Sequence, residues 1–391
     1  MARKKKKGAP AAVPEAPPPA APAVVSYLIG FVVVILAAAA VAGFAFMRVN
    51  QNSAPTAPSH ESAAAPKAAP LADAKPLRNF KVVNAHDHLM ARKFLDKYFR
   101  AAEQTGVVKT LFVASSDYTL KGSKFEQAKG NDENTEEILA AAREFPDKII
   151  PFCTIHPGDP DKLEKIKKFV AEGAAGLKLY TGHGNFYERP LDAPDMLPVY
   201  GYCEETRLPI CWHVNIVKYG EEFERVMTKY PKLIVIVPHF GVTFFRPREA
   251  PFQQFDHMMA TYPYLYTDTS FGTRNILIDG LEAVSRDPQP FRDFIAKHSG
   301  RVLFGTDMVI TGNKEKTDQW IADVIRACRE VLEKENYQFY MGAKGSSYAS
   351  KNSKNENGSF RGLGLDDATL RKIYETNIEQ LFALRNAAPG G

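Results

Sequence analysis

The sequence predicts an α/β protein built as a (β/α)8 barrel, and three observations carry that prediction. From Phe80 onward, eight short apolar runs alternate with amphipathic helical patterns. The runs recur about every 32 residues, roughly the length of one βα unit. Most are near-continuous in apolar residues, as expected of parallel strands covered on both faces. Eight units in roughly 230 residues fit a closed barrel better than an open doubly wound sheet. No Gly-rich phosphate loop follows the first run, which further disfavours the open sheet.

In order, the strand candidates are 80–86 (FKVVNAH), 107–114 (VVKTLFVA), 148–155 (KIIPFCTI), 176–180 (GLKLY), 209–214 (PICWHV), 233–239 (LIVIVPH), 265–270 (LYTDTS) and 302–307 (VLFGTD). Between them, Leu163, Ile166, Phe169 and Val170 make one helical stripe, and Ile321, Val324, Ile325, Cys328, Val331 and Leu332 another. Asp159 and Asp161 flank Pro160 where the first of these helices should start. Residues 338–363, rich in Ser, Asn, Gly and Lys, read as an exposed insertion, a candidate flap at the barrel mouth. Leu370, Ile373, Tyr374, Ile378, Leu381 and Phe382 then mark a closing amphipathic helix.

The segment before the barrel divides into a basic, Pro/Ala-rich tail (1–23), an uncharged run (24–47) and an Ala/Pro/Ser linker (48–78), ahead of the barrel at 79–391. Val24–Met47 would reach roughly 36 Å as a helix, enough to cross a hydrocarbon core of about 30 Å. The run exceeds the roughly 7–15 apolar residues of a signal peptide, the alternative reading, so an uncleaved transmembrane anchor is expected. The block Arg3–Lys7 should stay cytoplasmic, placing the barrel outside the cytoplasm, periplasmic in a bacterium. The linker has almost nothing to bury and reads as a disordered tether.

The chain's 391 residues carry 50 Lys and Arg against 45 Asp and Glu. Nine basic and three acidic residues lie in 1–78, so the barrel, with 41 and 42, is nearly neutral. That argues against a nucleic-acid partner. Four scattered cysteines exclude a disulfide scaffold, and no CxxC pair suggests a structural zinc site. Homo-oligomerisation is left open.

Four of the nine histidines, and one aspartate, fall at C-terminal ends of strand candidates. His86 and His88 end the first strand; two residues apart, they point to the same side and can meet one metal ion. His213 ends the fifth, His239 the sixth and Asp307 the eighth. In a barrel those ends converge on the face where active sites lie. Each residue alone is weak evidence; the joint placement is not, because clustered imidazoles around a buried carboxylate need a reason to be there. Lys178 on the fourth strand should also point inward, either pairing with a carboxylate or carrying a carbamate that bridges two metal ions. Asp87 should point away and be structural, and Cys211 should be a small filler deeper in the barrel.

The set NAHDHL, GLKLY, LPICWH, VPHFG, LFGTD and IYETNIEQLFAL resembles the amidohydrolase superfamily of metal-dependent TIM barrels. It looks most like the branch that contains aminocarboxymuconate-semialdehyde decarboxylase. The resemblance runs from about Phe80 to Leu384 and implies that His86, His88 and Asp307 hold the first metal ion. It adds His213 as a further ligand, and His239 as a second-metal ligand or a charge-stabilising group. It leaves Lys178 undecided, since only the dihydroorotase-like members use a carbamylated lysine there.

Imidazoles with a carboxylate suit Zn²⁺, with Mn²⁺ or Fe²⁺ as alternatives. The first expectation is hydrolysis of an amide, lactone or ester of a small molecule, with Asp307 as proton acceptor and His239 at the developing charge. Tyr180, His183 and Asn215, just past strand ends, are candidates for substrate contact. The rival expectation is non-oxidative decarboxylation, for which Arg189, Arg246 or Arg274 could hold a carboxylate. A third is a tethered binding protein without activity.

Overall fold

The computed structural model describes residues 76–115, 130–183, 189–242, 249–272, 275–339 and 358–387. All fall within one unit, Lys67–Gly391. The expected anchor at 24–47 lies outside the described residues, as do Arg246 and Arg274. Among the described residues no helix is long and apolar enough to cross a membrane.

The strands are β1 (Val82–Leu89), β2 (Val107–Val113), β3 (Ile149–Thr154), β4 (Gly176–Leu179), β5 (Ile210–Trp212), β6 (Val235–Val237) and β7 (Leu265–Asp268). The expected eighth strand, 302–307, is not continuous: β8 consists of Val302–Leu303 and Met308–Ile310. Its first piece pairs with β7 and its second with β1, all parallel, so the sheet closes on itself. The chain leaves the strand between the two pieces because Asp307 takes a left-handed conformation (φ 53°). The gap stays tied to β1 through Ala85 N–H to Phe304 O (2.7 Å) and Asp307 N–H to His86 O (2.7 Å).

Outside the barrel lie α1 (Leu95–Gln104), α2 (Asn131–Glu144), α3 (Lys162–Ala171), α4 (Leu197–Glu205), α5 (Ile216–Lys229), α6 (Glu249–Thr261), α7 (Asn275–Arg286), α8 (Gln289–Lys297) and α9 (Asp318–Glu333). Their apolar faces meet the outward strand residues in one core; on α9 the whole stripe from Ile321 to Leu332 is buried. A second core fills the barrel, built from inward residues such as Val83, Leu111, Phe152, Cys211, Ile236 and Leu303. The closing helix, α10, runs through Asp367–Arg371, a π turn at Lys372–Thr376 and Asn377–Asn386. Its Ile378 and Leu381 pack into the inner core with Phe382 beside them, stoppering the barrel. Apolar burial on this scale is the main stabilising contribution.

The end where the strands begin holds a buried polar knot. Arg329 and Glu333 of α9 pair at 2.6 Å with side chains 2% and 1% exposed. Arg329 also donates to the carbonyls of Thr105 (2.6 Å) and Arg78 (2.6 Å). Glu333 accepts from the Tyr374 hydroxyl (2.9 Å) and the Arg78 N–H (2.8 Å). The segment expected as a mouth flap roots here instead. Asn336–Gln338 and Ser359–Arg361 pair antiparallel, Gly362 N–H donates to Glu335 O (2.8 Å), and the Arg78 guanidinium reaches Leu365 O (2.8 Å). The reason is directional: α9 runs back from the mouth, so chain inserted after it starts at the opposite end. Residues 340–357 lie outside the described residues.

Candidate metal centre

His86 and His88 both turn into the barrel mouth from β1, while Asp87 between them turns away, as alternation requires. Asp87 accepts from Asn84 Nδ2 (2.7 Å), the Tyr98 hydroxyl (2.7 Å), Met308 N–H (2.7 Å) and the Thr306 hydroxyl. Burial pushes its carboxyl up to about 7 against those bonds. It braces β1 against the interrupted β8.

His239 stands two residues beyond β6, in a left-handed turn: His239, Phe240, Gly241 and Val242 all have φ between 49° and 71°. For the three non-glycine residues this costs about 1–2 kcal/mol each. Tertiary contacts hold the turn. The His239 N–H donates to Asp268 Oδ1 (3.1 Å), and the Phe240 ring packs 5.4 Å from that of Phe291 and 5.7 Å from that of Phe294. Strain concentrated on His239 and Asp307 marks the region as one whose geometry is imposed.

The ring nitrogens can be assigned by what faces them. His86 Nδ1 lies 2.9 Å from Asp268 Oδ2, and His239 Nδ1 lies 3.0 Å from Ser270 O. Both partners only accept, so both Nδ1 atoms carry the proton. His88 Nδ1 faces the Ser115 hydroxyl (3.2 Å) and the Tyr180 hydroxyl (3.3 Å). Those hydroxyls donate elsewhere, to Met90 Sδ (3.5 Å) and Ala114 O (2.8 Å), so they accept from His88 as well. The three Nε2 lone pairs therefore face the centre, where that of His86 also meets Lys178 Nζ at 3.1 Å. They face Asp307 at 3.3 Å (His86), 3.0 Å (His88) and 3.4 Å (His239).

These acceptor atoms gather around the Asp307 carboxylate and repel it unless positive charge lies among them, which Lys178 Nζ supplies at His86 alone. Burial, reinforced for His86 by Lys178, pushes the His86 imidazole below its ordinary range, and burial pushes His88 down to about 4, so protonation is a poor remedy. Burial opposes the charge on Asp307 too, and its carboxyl falls well below the usual carboxylate range only with positive charge on the surrounding imidazoles, a charge that a bound cation would replace. The donor set fits a divalent ion: His86, His239 and Asp307 offer ligand atoms within 4.8 Å of one another, a compact group that does not include the expected ligand His88, which reaches it through Asp307 (3.0 Å). Tetrahedral bonds of about 2.0–2.1 Å would set ligand atoms about 3.3–3.4 Å apart, close to the 3.3 and 3.4 Å between Asp307 and the Nε2 atoms of His86 and His239.

The other expected residues lie around this centre. His213 is outside the tight group; its ring centroid is 5.2 Å from that of His239 and 4.3 Å from that of His183. Burial holds His213 well below its ordinary range and His183 down at about 4. Asn215 caps α5 by accepting from Lys218 N–H (3.2 Å), and Tyr180 is occupied with Ala114 and His88. Arg189 pairs with Asp195. Lys178 points inward but not at a carboxylate: its Nζ lies 3.1 Å from His86 Nε2 and 3.5 Å from Cys211 Sγ. No acid among the described residues is within ion-pair distance of it.

Asp268, Ser270 and Ser115 are absent from the sequence-based expectations. Asp268 could be found by the rule that picks out Asp307, since it too is an acid at the C-terminal end of a barrel strand. Ser270 and Ser115 carry no such signal.

A closed parallel barrel with imidazoles and a carboxylate gathered at its C-terminal face is the architecture of metal-dependent TIM-barrel proteins. The amidohydrolase family model matches residues 83–384, so the chain belongs to the amidohydrolase family. Solved structures agree on the fold. An uncharacterised TIM-barrel protein from Bordetella bronchiseptica is 15% identical with a TM-score of 0.52, covering 79% of this chain and 100% of its own. A probable 2-pyrone-4,6-dicarboxylic acid hydrolase from Acinetobacter baumannii, with citric acid bound, is 13% identical with a TM-score of 0.54, covering 78% and 100%. No curated protein matches the chain by sequence.

Proposed function

We propose that this protein is a metal-dependent hydrolase that cleaves an amide, lactone or ester bond in a small molecule. The observation that carries the reading is the convergence of the His86, His88 and His239 Nε2 atoms on the Asp307 carboxylate. His86, His88, His239 and Asp307 would hold the ion, with Zn²⁺ the best match to the donors and Mn²⁺ or Fe²⁺ alternatives. When bound, such an ion polarises a carbonyl oxygen and lowers the pKa of water to about 7. Asp307, ionised and 20% exposed, is placed to take a proton from the attacking water and return it to the leaving group. His239 commits its only N–H to Ser270, which supports a ligand role over that of a hydrogen-bond donor to developing charge. His183 and His213, half-buried beside the centre, are the groups we place against substrate.

Lys178 supports a second reading. Its buried ammonium, without a carboxylate partner among the described residues, could hold a substrate carboxylate for non-oxidative decarboxylation; alternatively, it carries a carbamate and a second ion. The purified protein is expected to contain at least about one tightly bound transition metal per chain and to lose turnover on chelation. Assays over amide, lactone and aromatic acid panels decide between the chemistries. CO2 release without incorporation of water would replace hydrolase by decarboxylase, and a metal-free chain without turnover would leave a tethered binding protein.

We further propose that residues 24–47 anchor the chain in a bilayer with the barrel outside the cytoplasm, supported by the uncharged run and the preceding basic block. The protein should sediment with membranes and resist carbonate extraction. Recovery in the soluble fraction would overturn the anchor.

A further inference from the structure

Asp268 lies behind the centre, fully buried at the end of β7. Each of its oxygens serves a different histidine. Oδ2 accepts from His86 Nδ1 (2.9 Å). Oδ1 accepts from the His239 N–H (3.1 Å), the Ser270 N–H (3.0 Å) and the Ser270 hydroxyl (2.5 Å). The Ser270 hydroxyl in turn sits 2.8 Å from His239 Nδ1, so the proton of that imidazole also leads to Asp268, through one intervening hydroxyl. The backbone makes room for this arrangement at Gly305, where a Cβ would come within 3.1 Å of Asp268 Cγ and 3.2 Å of His86 Cβ.

We infer that Asp268 is the positioning residue of the centre: one carboxylate fixes the proton of His86 on Nδ1, relays to that of His239 and pins the left-handed turn that carries His239. Resting on the metal-dependent reading above, it makes the two imidazoles dependent on a single buried group from a third strand. Carboxylates behind ligating histidines orient the ring and raise its basicity, and their loss typically lowers metal affinity about 10–100-fold.

Asp268→Asn separates this role from a merely structural one. Three donors converge on Oδ1, so the carboxamide oxygen must take that position and the NH2 must face His86 Nδ1. A donor there favours an accepting His86 Nδ1 with the proton on Nε2, where it blocks the lone pair aimed at the centre and displaces the contact with Lys178 Nζ (3.1 Å). The turn keeps its three hydrogen bonds. The full-length variant, compared with the parent, should therefore bind Zn²⁺ about 10–100-fold more weakly in a chelator competition. In the metal-free protein, ¹⁵N NMR should show the His86 tautomer switched while the melting temperature stays near that of the parent. Gly305→Ala, which presses on Asp268 and His86 without changing their chemistry, should also weaken Zn²⁺ binding and serves if Asp268→Asn does not fold. An unchanged His86 tautomer in Asp268→Asn, or Zn²⁺ affinity within about threefold of the parent in both variants, would overturn the inference. A switched tautomer in a protein whose parent binds no metal would sustain the positioning role and sink the metal-dependent reading instead.

Discussion

Asp307→Asn is expected to lower turnover by at least about 10³-fold and to strip the protein of its metal. The carboxylate is the one negative charge that the imidazoles of His86, His88 and His239 all face. A carboxamide removes that charge and places an NH2 where acceptor atoms converge. The same replacement should leave the metal-free variant at least as stable as the metal-free parent, because the amide can donate to Nε2 atoms that otherwise confront a carboxylate. Turnover on the best substrate of the panel, metal content and thermal midpoint test the three parts. Activity within tenfold of the parent would remove Asp307 from the mechanism.

Glu333→Ala is expected to cost about 3–5 kcal/mol, the typical penalty for removing one member of a buried pair and leaving the other charge stranded. Arg329 would be the stranded charge, with a side chain only 2% exposed. The Tyr374 hydroxyl and the Arg78 N–H would lose their acceptor as well. Urea denaturation of metal-free protein measures the loss, and a cost below about 1 kcal/mol would refute the account. The double variant Arg329→Met/Glu333→Leu should recover much of it, since apolar replacement of both partners removes the stranded charge.

The residues that the sequence makes visible share a physical cause. Parallel strands covered on both faces must be apolar for nearly their whole length, so Val107–Val113 and Ile149–Thr154 stand out, and polar residues at their ends stand out against them. That contrast is enough to locate His86, His88, His239 and Asp307. The interruption of β8 and the turn at His239–Val242 have no comparable signature. His, Phe and Val do not favour left-handed backbone, and only distant partners such as Asp268 and Phe291 hold them there. The surroundings of Lys178 were hidden for a similar reason: an inward direction follows from strand alternation, but which group stands opposite depends on how eight strands close. The insertion's place in the chain was readable, whereas its end of the barrel follows only from the course of α9.

The polar knot at Arg78 has a mechanical consequence. The backbone N–H and guanidinium of Arg78 bond to Glu333 and Leu365 at the end of the barrel remote from Asp307, just before the chain enters β1. Tension applied through the preceding residues is therefore taken up first by these bonds and by the floor of the barrel. The end that carries the candidate metal centre sits downstream of that strain relief, so a pull that frays Arg78 from Glu333 can be absorbed before the imidazoles on β1 are displaced.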